Sequence, residues 1–400
     1  MTLAHPIARA WLSTGGTGAR NYDEFADESE ITRIIEANPA SALAIEMPHR
    51  APASLGRPFD ATLPDAAARL AETKAAGRYR PYEQIAGVYR IGGSSYGVWT
   101  MVDTNQISTS AAEPGLVIRN EDVFPEKVRE RVALASAIGH LLSPVLLLQT
   151  GQGAALHAAL RDAAEAAGPP SVRDMDEAGR VHEVWALPPG PTQDRILALA
   201  GGGELVVADG NHRSLAAQTA GLARFLAVVT TPASVTIEPY HRLVTELPVP
   251  ADQLPQRLAA AGAVVQPLAD VTVPAGRGTI IGYAAGAAWS AQLPVDPSAS
   301  EVENLDHALV ERVLLGEVLG LEPGDKRITY VGGDNPPRWL AEQVDTGRAE
   351  LAVLIAPVSV ADFIAVNLAR HKLPRKSTWF MPKARAGLVV AELGSENGGR

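Results

Sequence analysis

An apolar run meets a helix-forming run in one short stretch, VVADGNHRSLAAQTAG at residues 206–221. Residues 206–208 are typical of the end of a buried strand, and Gly210 permits a tight turn. Small helix-forming residues continue to Gly221, and the apolar run RFLAVV at 224–229 follows. The sequence therefore predicts a compact strand, turn, helix and strand unit.

The polar residues of this unit fall on the first turn of the predicted helix. Backbone N–H groups there lack intrahelical partners and carry roughly half a unit of positive charge, which suits an anion. Arg213 offers paired donors for phosphate, with His212 beside it, and Asp209 is placed to cap the helix or to hold a metal-bound phosphate. A structural alternative stays open, in which Asp209 caps, Gly210 turns and Arg213 pairs with a nearby acid.

Apolar periodicity and turn residues predict an α/β fold with some antiparallel hairpins. Helices are predicted at 27–38, 64–77, 125–141, 153–167, 305–319 and 358–370. Strands are predicted at 41–47, 85–91, 96–102, 182–187, 204–209, 224–230, 279–286, 327–333 and 351–357. Gly92 and Gly93 indicate a hairpin between two of these strands. Composition shifts divide the chain into three regions, 1–82, 83–245 and 246–400.

Composition and charge exclude several classes of protein. The chain has no cysteine, which rules out disulfides and thiolate catalysis and makes the cytoplasm the default expectation. No run of about 18 apolar residues occurs, so we expect no membrane span, and the first residues lack the apolar core of a signal peptide. The net charge of −10 argues against nucleic acid as a partner. The nine histidines form no close metal-binding pair, so a zinc hydrolase is not expected.

Several stretches resemble a known family in the same order along the chain. VVADGNHR resembles the Asp-Gly-His-His-Arg motif of the free L-serine kinase group, whose longer members form a large bacterial family of unknown function. The stretch 21–50, beginning NYDEF, is similar to the N-terminal segment of that family. The stretches 305–331 and 373–390, the second containing KSTWFMPK, resemble its C-terminal signature.

The resemblance implies a ParB/sulfiredoxin-like core at 83–245, flanked by N- and C-terminal α/β regions. It also implies a kinase that uses ADP or ATP with Mg²⁺ to phosphorylate the hydroxyl of a free amino acid such as serine. Glu121, in IRNEDVFPEKVRER, fills the place of the general base in these kinases. A carboxylate suits that task because the alcohol must lose its proton as the new bond forms. Without the resemblance, Glu121 is equally a helix-start carboxylate favoured by the helix dipole.

The resemblance assigns the candidate residues to three groups. Asp209 and His212 join Glu121 as catalytic residues, and Asn120 and Arg242 border the substrate pocket. The nucleotide phosphates would contact Gly210, Asn211, Arg213, Lys376, Ser377, Thr378 and Lys383. A solvated basic loop at 376–383 and simple packing of the Arg242 stem stay open as alternatives.

Two departures from the family pattern concern the acceptor pocket. Asn211 and Asn120 stand where the serine kinases carry histidines, and an amide forms hydrogen bonds but cannot carry charge or transfer a proton. Two other functions therefore stay open: a catalytically silent regulator that binds nucleotide or amino acid, and a ParB-like nucleotide-switched DNA binder. A homodimer is the assembly we consider, and the sequence does not specify the oligomeric state.

Overall fold

A computed structural model of the chain describes residues 3–25, 27–108 and 115–394. These residues form two compact units. The first unit contains the described residues up to Thr236 and from Pro382 onwards, and the second unit is Ile237–Met381. Within the described ranges, no helix has both the length and the apolar character needed to cross a bilayer.

The strands of the first unit precede and follow those of the second unit in the sequence. In the first unit they are β1 (Ala4–His5), β2 (Ile7–Ser13), β3 (Tyr79–Ile91), β4 (Ser95–Asp103), β5 (Ile107–Ser108), β6 (Val117–Ile118), β7 (His140–Leu141), β8 (Val145–Gln149), β9 (Val172–Met175), β10 (Val181–Leu187), β11 (Leu205–Asp209) and β12 (Arg224–Thr230). Then follow β13 (Thr236–Glu238), β14 (Tyr240–Val244), β15 (Val264–Leu268), β16 (Thr279–Ala284), β17 (Ala287–Gln292), β18 (Ile328–Gly332), β19 (Leu351–Leu354) and β20 (Trp379–Met381). The last strand, β21 (Val389–Glu392), returns to the first unit.

Helices alternate with these strands in both units. In the first unit they are α1 (Glu28–Ala37), α2 (Leu43–Glu46), α3 (Leu63–Ala75), α4 (Pro125–Ile138), α5 (Gly153–Ala166), α6 (Pro191–Ala200) and α7 (Asn211–Thr219). In the second unit they are α8 (Leu254–Ala260), α9 (Asp306–Leu309), which continues as a π-helix (Val310–Val318), α10 (Pro337–Asp345) and α11 (Val360–Leu368). The α/β class that the sequence predicts is confirmed.

The first unit is built on a mixed sheet with the strand order β5-β6-β11-β8-β12-β4-β3-β2-β21-β7, with β1 added to β4 and β10 to β3. Strand β12 runs parallel to β8 and antiparallel to β4. Both β8 and β12 are almost wholly apolar because helices cover this part of the sheet, and their side chains join the largest core cluster. β11, the neighbour of β8 in this sheet, ends at Asp209, and α7 begins two residues later at Asn211.

The hairpin between β3 and β4 forms as predicted. The two strands pair antiparallel from Gly87 opposite Trp99 to Ile91 opposite Ser95. Gly92 and Gly93 both have positive φ, at 60° and 86°, which is the backbone that a tight hairpin turn with matching twist requires.

The prediction for residues 41–47 is wrong. The sequence predicts a buried strand there, but the structure contains the short helix α2, whose residues are all buried. A short run in which nearly every residue is apolar has no periodicity that separates strand from helix. The Ser41 hydroxyl, which accepts a hydrogen bond from the Leu43 N–H at 3.4 Å, is a local sign of the helical turn.

The second unit contains its own sheet with the order β15-β17-β16-β19-β14-β18, in which all neighbouring strands are antiparallel. The π-helical segment packs its apolar side chains into the core of this unit, with Trp289 and Leu351 from the sheet. The predicted strands at 279–286, 327–333 and 351–357 correspond to β16, β18 and β19.

A buried polar chain crosses the first unit between β3 and β10. The Tyr89 hydroxyl lies 2.6 Å from His182 Nδ1, and His182 Nε2 lies 3.3 Å from Asp176 Oδ2. Burial lowers the pKa of His182 to about 4, although Asp176 opposes the shift. His182 is therefore a neutral ring that holds the two strands together at neutral pH.

We expect His182 to reduce the free energy of unfolding by about 1.5 kcal/mol when the pH falls from 6.5 to 5. In this window the unfolded chain binds a proton at His182, whereas the folded chain, with its pKa of about 4, does not. Urea unfolding should therefore show a smaller pH slope for His182→Gln than for the unaltered protein. His371→Gln, at an exposed histidine, is the matched control and should keep the full slope.

Candidate active site

The turn between β11 and α7 has the geometry that the sequence predicts. Gly210 is the N-cap of α7 and adopts φ 95° and ψ 31°, a left-handed conformation. A Cβ atom at this position would lie 3.1 Å from Arg213 Cζ and 3.2 Å from Val145 Cα. Glycine is therefore required both by the backbone angle and by the close approach of Arg213.

Asp209 lies between two cations at the end of β11. Its Oδ2 accepts a hydrogen bond from Arg213 Nη2 at 2.5 Å, and its Oδ1 accepts one from Lys383 Nζ at 2.8 Å. The exposed fractions of the Asp209, Arg213 and Lys383 side chains are 16%, 7% and 9%. Burial alone would raise the pKa of Asp209, but Lys383 and Arg213 outweigh it and hold the pKa below its usual value.

The capping alternative for Asp209 is not what the structure contains. The N-cap of α7 is Gly210, and no side chain makes a capping hydrogen bond there. The other part of the structural alternative does occur, because Arg213 pairs with a nearby acid. Asp209 therefore acts as the anionic centre of an ion network rather than as a cap.

The Arg213 guanidinium connects several segments of the first unit. Its Nη1 donates to Asn21 Oδ1 at 3.2 Å and also to the carbonyl oxygen of Pro144. Its Nη2 lies 3.8 Å from Asp23 Oδ1. Burial disfavours the charge on Arg213, yet Asp209 and Asp23 hold its pKa above the ordinary value. The side chain is consequently a fixed cation next to the first turn of α7.

Asn21, Asp23 and Glu24 belong to this network, and the sequence assigns them no role. Asn21 Nδ2 donates to Glu24 Oε1 at 2.6 Å and to the carbonyl oxygen of Ala384 at 3.1 Å. Asn21 therefore connects Arg213 to the segment that carries Lys383. Burial raises the pKa of Glu24, and Lys383 opposes the shift. The only sequence signal for these residues is the resemblance of the NYDEF stretch.

The two asparagines that the resemblance places opposite histidines of the serine kinases contact each other. Asn211 Nδ2 donates to Asn120 Oδ1 at 2.5 Å, although the residues are 91 positions apart. Both are almost fully buried, at 4% and 1% exposure. Asn211 Oδ1 is buried without a hydrogen-bond partner among the described residues. The contact joins the loop before α4 to the first turn of α7 and leaves one amide oxygen available as an acceptor.

His212 also connects the loop before α4 to the first turn of α7. Its Nε2 accepts a hydrogen bond from the Phe124 N–H at 3.0 Å, so the proton of the neutral ring is on Nδ1. The two rings are stacked, with centroids 5.9 Å apart and planes at 5°. His212 therefore holds the loop that precedes α4 against α7.

Glu121 lies in that loop, directly after Asn120. It is partly buried, and α4 begins four residues later at Pro125 with Phe124 as its N-cap. Glu121 is therefore outside the first turn of α4, and the helix-start alternative does not describe it. Its role as a general base stays a prediction.

Lys376, Ser377 and Thr378 belong to the second unit, together with Arg242. The fully buried Arg242 donates from Nη1 to the Lys376 carbonyl oxygen at 3.0 Å and from Nη2 to that of Arg375 at 3.3 Å. The Ser377 hydroxyl donates to the Pro374 carbonyl oxygen at 2.6 Å. Arg242 thus supports the main chain of this basic segment, and its role in a substrate pocket stays a prediction.

Solved structures with some likeness to the chain have low identity and low TM-scores. Free serine kinase in complex with AMP is 11% identical, with a TM-score of 0.39 over 71% of this chain and 87% of that one. A conserved hypothetical protein from Pyrococcus furiosus is 12% identical, with a TM-score of 0.40 over 72% and 95%. C-terminally truncated SbnI from Staphylococcus aureus is 11% identical, with a TM-score of 0.40 over 72% and 87%. No curated protein matches the chain.

A match at the level of protein families covers most of the sequence. Residues 17–308 match the family described as Protein of unknown function (DUF1015). This span is more than half of the 400 residues, and it includes Asn21, Glu121 and the turn at Gly210. The chain therefore belongs to the DUF1015 family.

Proposed function

We propose that this chain is a kinase that transfers a phosphoryl group from ADP or ATP to the hydroxyl of a free amino acid such as serine. The observation that carries the proposal is the Asn120–Asn211 hydrogen bond. It brings the loop with the candidate base Glu121 next to the candidate phosphate turn, which is the adjacency that an in-line transfer requires. The family resemblance of both stretches supports the same assignment, including a ParB/sulfiredoxin-like core.

In this proposal, the acceptor hydroxyl oxygen attacks the terminal phosphorus while the bond to the bridging oxygen breaks. Glu121 accepts the hydroxyl proton as the new P–O bond forms. The first turn of α7 supplies backbone N–H groups and a partial positive charge for the phosphate oxygens. Nothing in this step requires a proton from Asn120 or Asn211, so the loss of the family histidines is compatible with transfer.

Lys383 supplies the charge that the phosphate oxygens would meet. Its Nζ donates a hydrogen bond to Asp209 Oδ1 at 2.8 Å, which fixes the ammonium group at the end of β11. Asp209 and Asn21 fix the position of the segment, since Asn21 holds the adjacent Ala384 carbonyl oxygen. Lys383 is thus oriented before a ligand arrives, which lowers the entropy cost of binding.

Among the described residues, side chains alone form no cluster of three or more His, Asp or Glu ligands that could hold Mg²⁺. The Asp209 carboxylate is already shared by two cations. Mg²⁺ stays an implication of the resemblance, and no step here depends on it. The division into regions 1–82, 83–245 and 246–400 and the homodimer also stay predictions.

A transfer screen with the purified full chain tests the proposal. ATP labelled on its γ-phosphate and ADP labelled on its β-phosphate are each combined with free serine, threonine or homoserine. We expect labelled phosphate on at least one amino acid. Nucleotide binding without transfer to any acceptor would favour the silent regulator, and absence of nucleotide binding would remove both functions.

The double variant Asn120→His with Asn211→His should change acceptor preference. The paired amides present fixed donors and acceptors where the serine kinases have imidazoles, so we expect the unaltered protein to prefer an acceptor other than serine. The variant should shift kcat/KM towards serine by about tenfold, the size of one exchanged polar contact. The measurement is the ratio of kcat/KM values for serine and the best acceptor.

Asn105→His, at an exposed asparagine, is the control and should leave this ratio unchanged. If the unaltered protein already uses serine best among the acceptors tested, the two asparagines are neutral substitutions and the idea is wrong.

A further inference from the structure

A second cluster of reactive side chains lies in the first unit, outside the candidate active site. Lys74, in the last turn of α3, has its Nζ 2.5 Å from Nε2 of His140 on β7. The same Nζ lies 3.9 Å from the Trp11 ring centroid and 3.9 Å from Glu392 Oε2. Glu392 in turn accepts a hydrogen bond from Trp11 Nε1 at 2.7 Å and lies 3.4 Å from Arg9 Nε. Residues from three strands therefore surround one amine on α3.

The hydrogen bonds of His140 define its chemical role in this cluster. Its Nδ1 lies 2.6 Å from the carbonyl oxygen of Ile138, which can only accept, so Nδ1 carries the proton. Nε2 is then a lone-pair acceptor that faces the Lys74 amine. Burial lowers the pKa of His140, with the Ile138 carbonyl opposing the shift, so the ring stays neutral at neutral pH. His140 is thus ready to accept a proton from Lys74.

The surroundings of Lys74 increase the fraction of its amine that is neutral and therefore nucleophilic. Burial lowers its pKa to about 8; Glu392 opposes the shift and Arg9 adds to it. About a quarter of the amine is consequently neutral at pH 7.5, against about 0.1% for an ordinary lysine. The side chain keeps 15% of its surface exposed, so it is not sealed inside the core.

We propose that Lys74 is a reactive amine that takes a small aldehyde or 2-oxo acid as an imine, with His140 as its proton acceptor. The Nζ lone pair attacks the carbonyl carbon, and the C=O π electrons move to the oxygen. His140 Nε2 takes one proton from Nζ and returns it to this alkoxide oxygen, which gives the carbinolamine hydroxyl. His140 then takes the second Nζ proton and passes it to the hydroxyl, so that the C–O bond breaks, water leaves and a C=N bond to Nζ remains. The step releases one water molecule and needs no oxidant or reductant.

The chain is well suited to a direct test because its only lysines are Lys74, Lys127, Lys326, Lys372, Lys376 and Lys383. The full-length protein is incubated with glyoxylate and cyanoborohydride at pH 7.5, and adducts are located by peptide mass spectrometry. We expect at least tenfold more adduct on Lys74 than on the exposed Lys326. Equal labelling of the two lysines would overturn the proposal, and this comparison needs no variant.

His140→Gln tests the proton acceptor separately, since glutamine keeps hydrogen bonding but cannot take up a proton. We expect the Lys74 adduct to form several-fold more slowly in this variant, while labelling of Lys326 is unchanged. The Lys326 signal serves as an internal reference within each sample. An unchanged Lys74 rate would remove His140 from the step.

Discussion

Asp209→Ala is expected to lower the free energy of unfolding of the first unit by about 3–5 kcal/mol, the cost of breaking a buried ion pair. The variant removes the carboxylate that Arg213 and Lys383 share, while both side chains stay more than nine-tenths buried. If Asp209 only capped α7, the loss would be about 1 kcal/mol. Urea unfolding followed by a signal from the first unit measures the difference.

The ion pair of Asp162 with Arg161 provides a matched control. Its two side chains are 60% and 49% exposed, so Asp162→Ala should cost far less stability than Asp209→Ala. Asp209→Asn should fall between the two variants because the amide keeps one acceptor oxygen. A loss for Asp209→Ala as small as that for Asp162→Ala would show that the network around Arg213 does not depend on the shared carboxylate.

Local features of the fold could be predicted where neighbouring residues determine them. The turn at Gly210 follows from an apolar run, a glycine and helix formers in direct succession, and the structure confirms it. The hairpin at Gly92 and Gly93 follows from the need for positive φ at both positions. Residues 41–47 were not predictable in this way, because the four residues of α2 are buried on all sides and carry no helical periodicity.

The contacts of the candidate site depend on residues far apart in the sequence. Lys383 reaches Asp209 across 174 positions because β21, shortly after it, pairs with β2 and brings the chain end back to the first unit. Asn21 reaches Arg213 across 192 positions. No periodicity or turn signal encodes such pairings. The family resemblance identified these stretches as candidate functional segments, but it did not predict which of their atoms are in contact.

The surroundings of Lys376 and Lys383 could not be predicted from the sequence either. From the sequence, KSTWFMPK is predicted to be one basic segment. In the structure, residues up to Met381 belong to the second unit, and residues from Pro382 belong to the first unit. Lys383 pairs with Asp209 in the first unit, and the Lys376 carbonyl oxygen accepts from Arg242 in the second. Residues that are adjacent in a sequence motif therefore have separate structural surroundings.

Glu121→Gln is expected to lower kcat by at least about a hundredfold while nucleotide affinity stays within about twofold. The amide keeps the size and hydrogen bonding of the side chain but cannot accept the hydroxyl proton. Asn120 and the Phe124 main chain both hold the loop against α7, and neither contact is removed by this variant. Steady-state phosphoryl transfer at saturating substrates measures kcat, and calorimetry measures the nucleotide Kd.

Glu126→Gln is the matched control, since Glu126 is an exposed carboxylate in the first turn of α4, only five residues away. It acts through the helix dipole alone and should leave kcat unchanged. A fall in kcat for Glu121→Gln but not for Glu126→Gln is specific to proton transfer, because both variants remove one negative charge from the same segment. If both retain near-normal kcat in folded protein, the acceptor proton leaves by another route and Glu121 has no part in the chemistry.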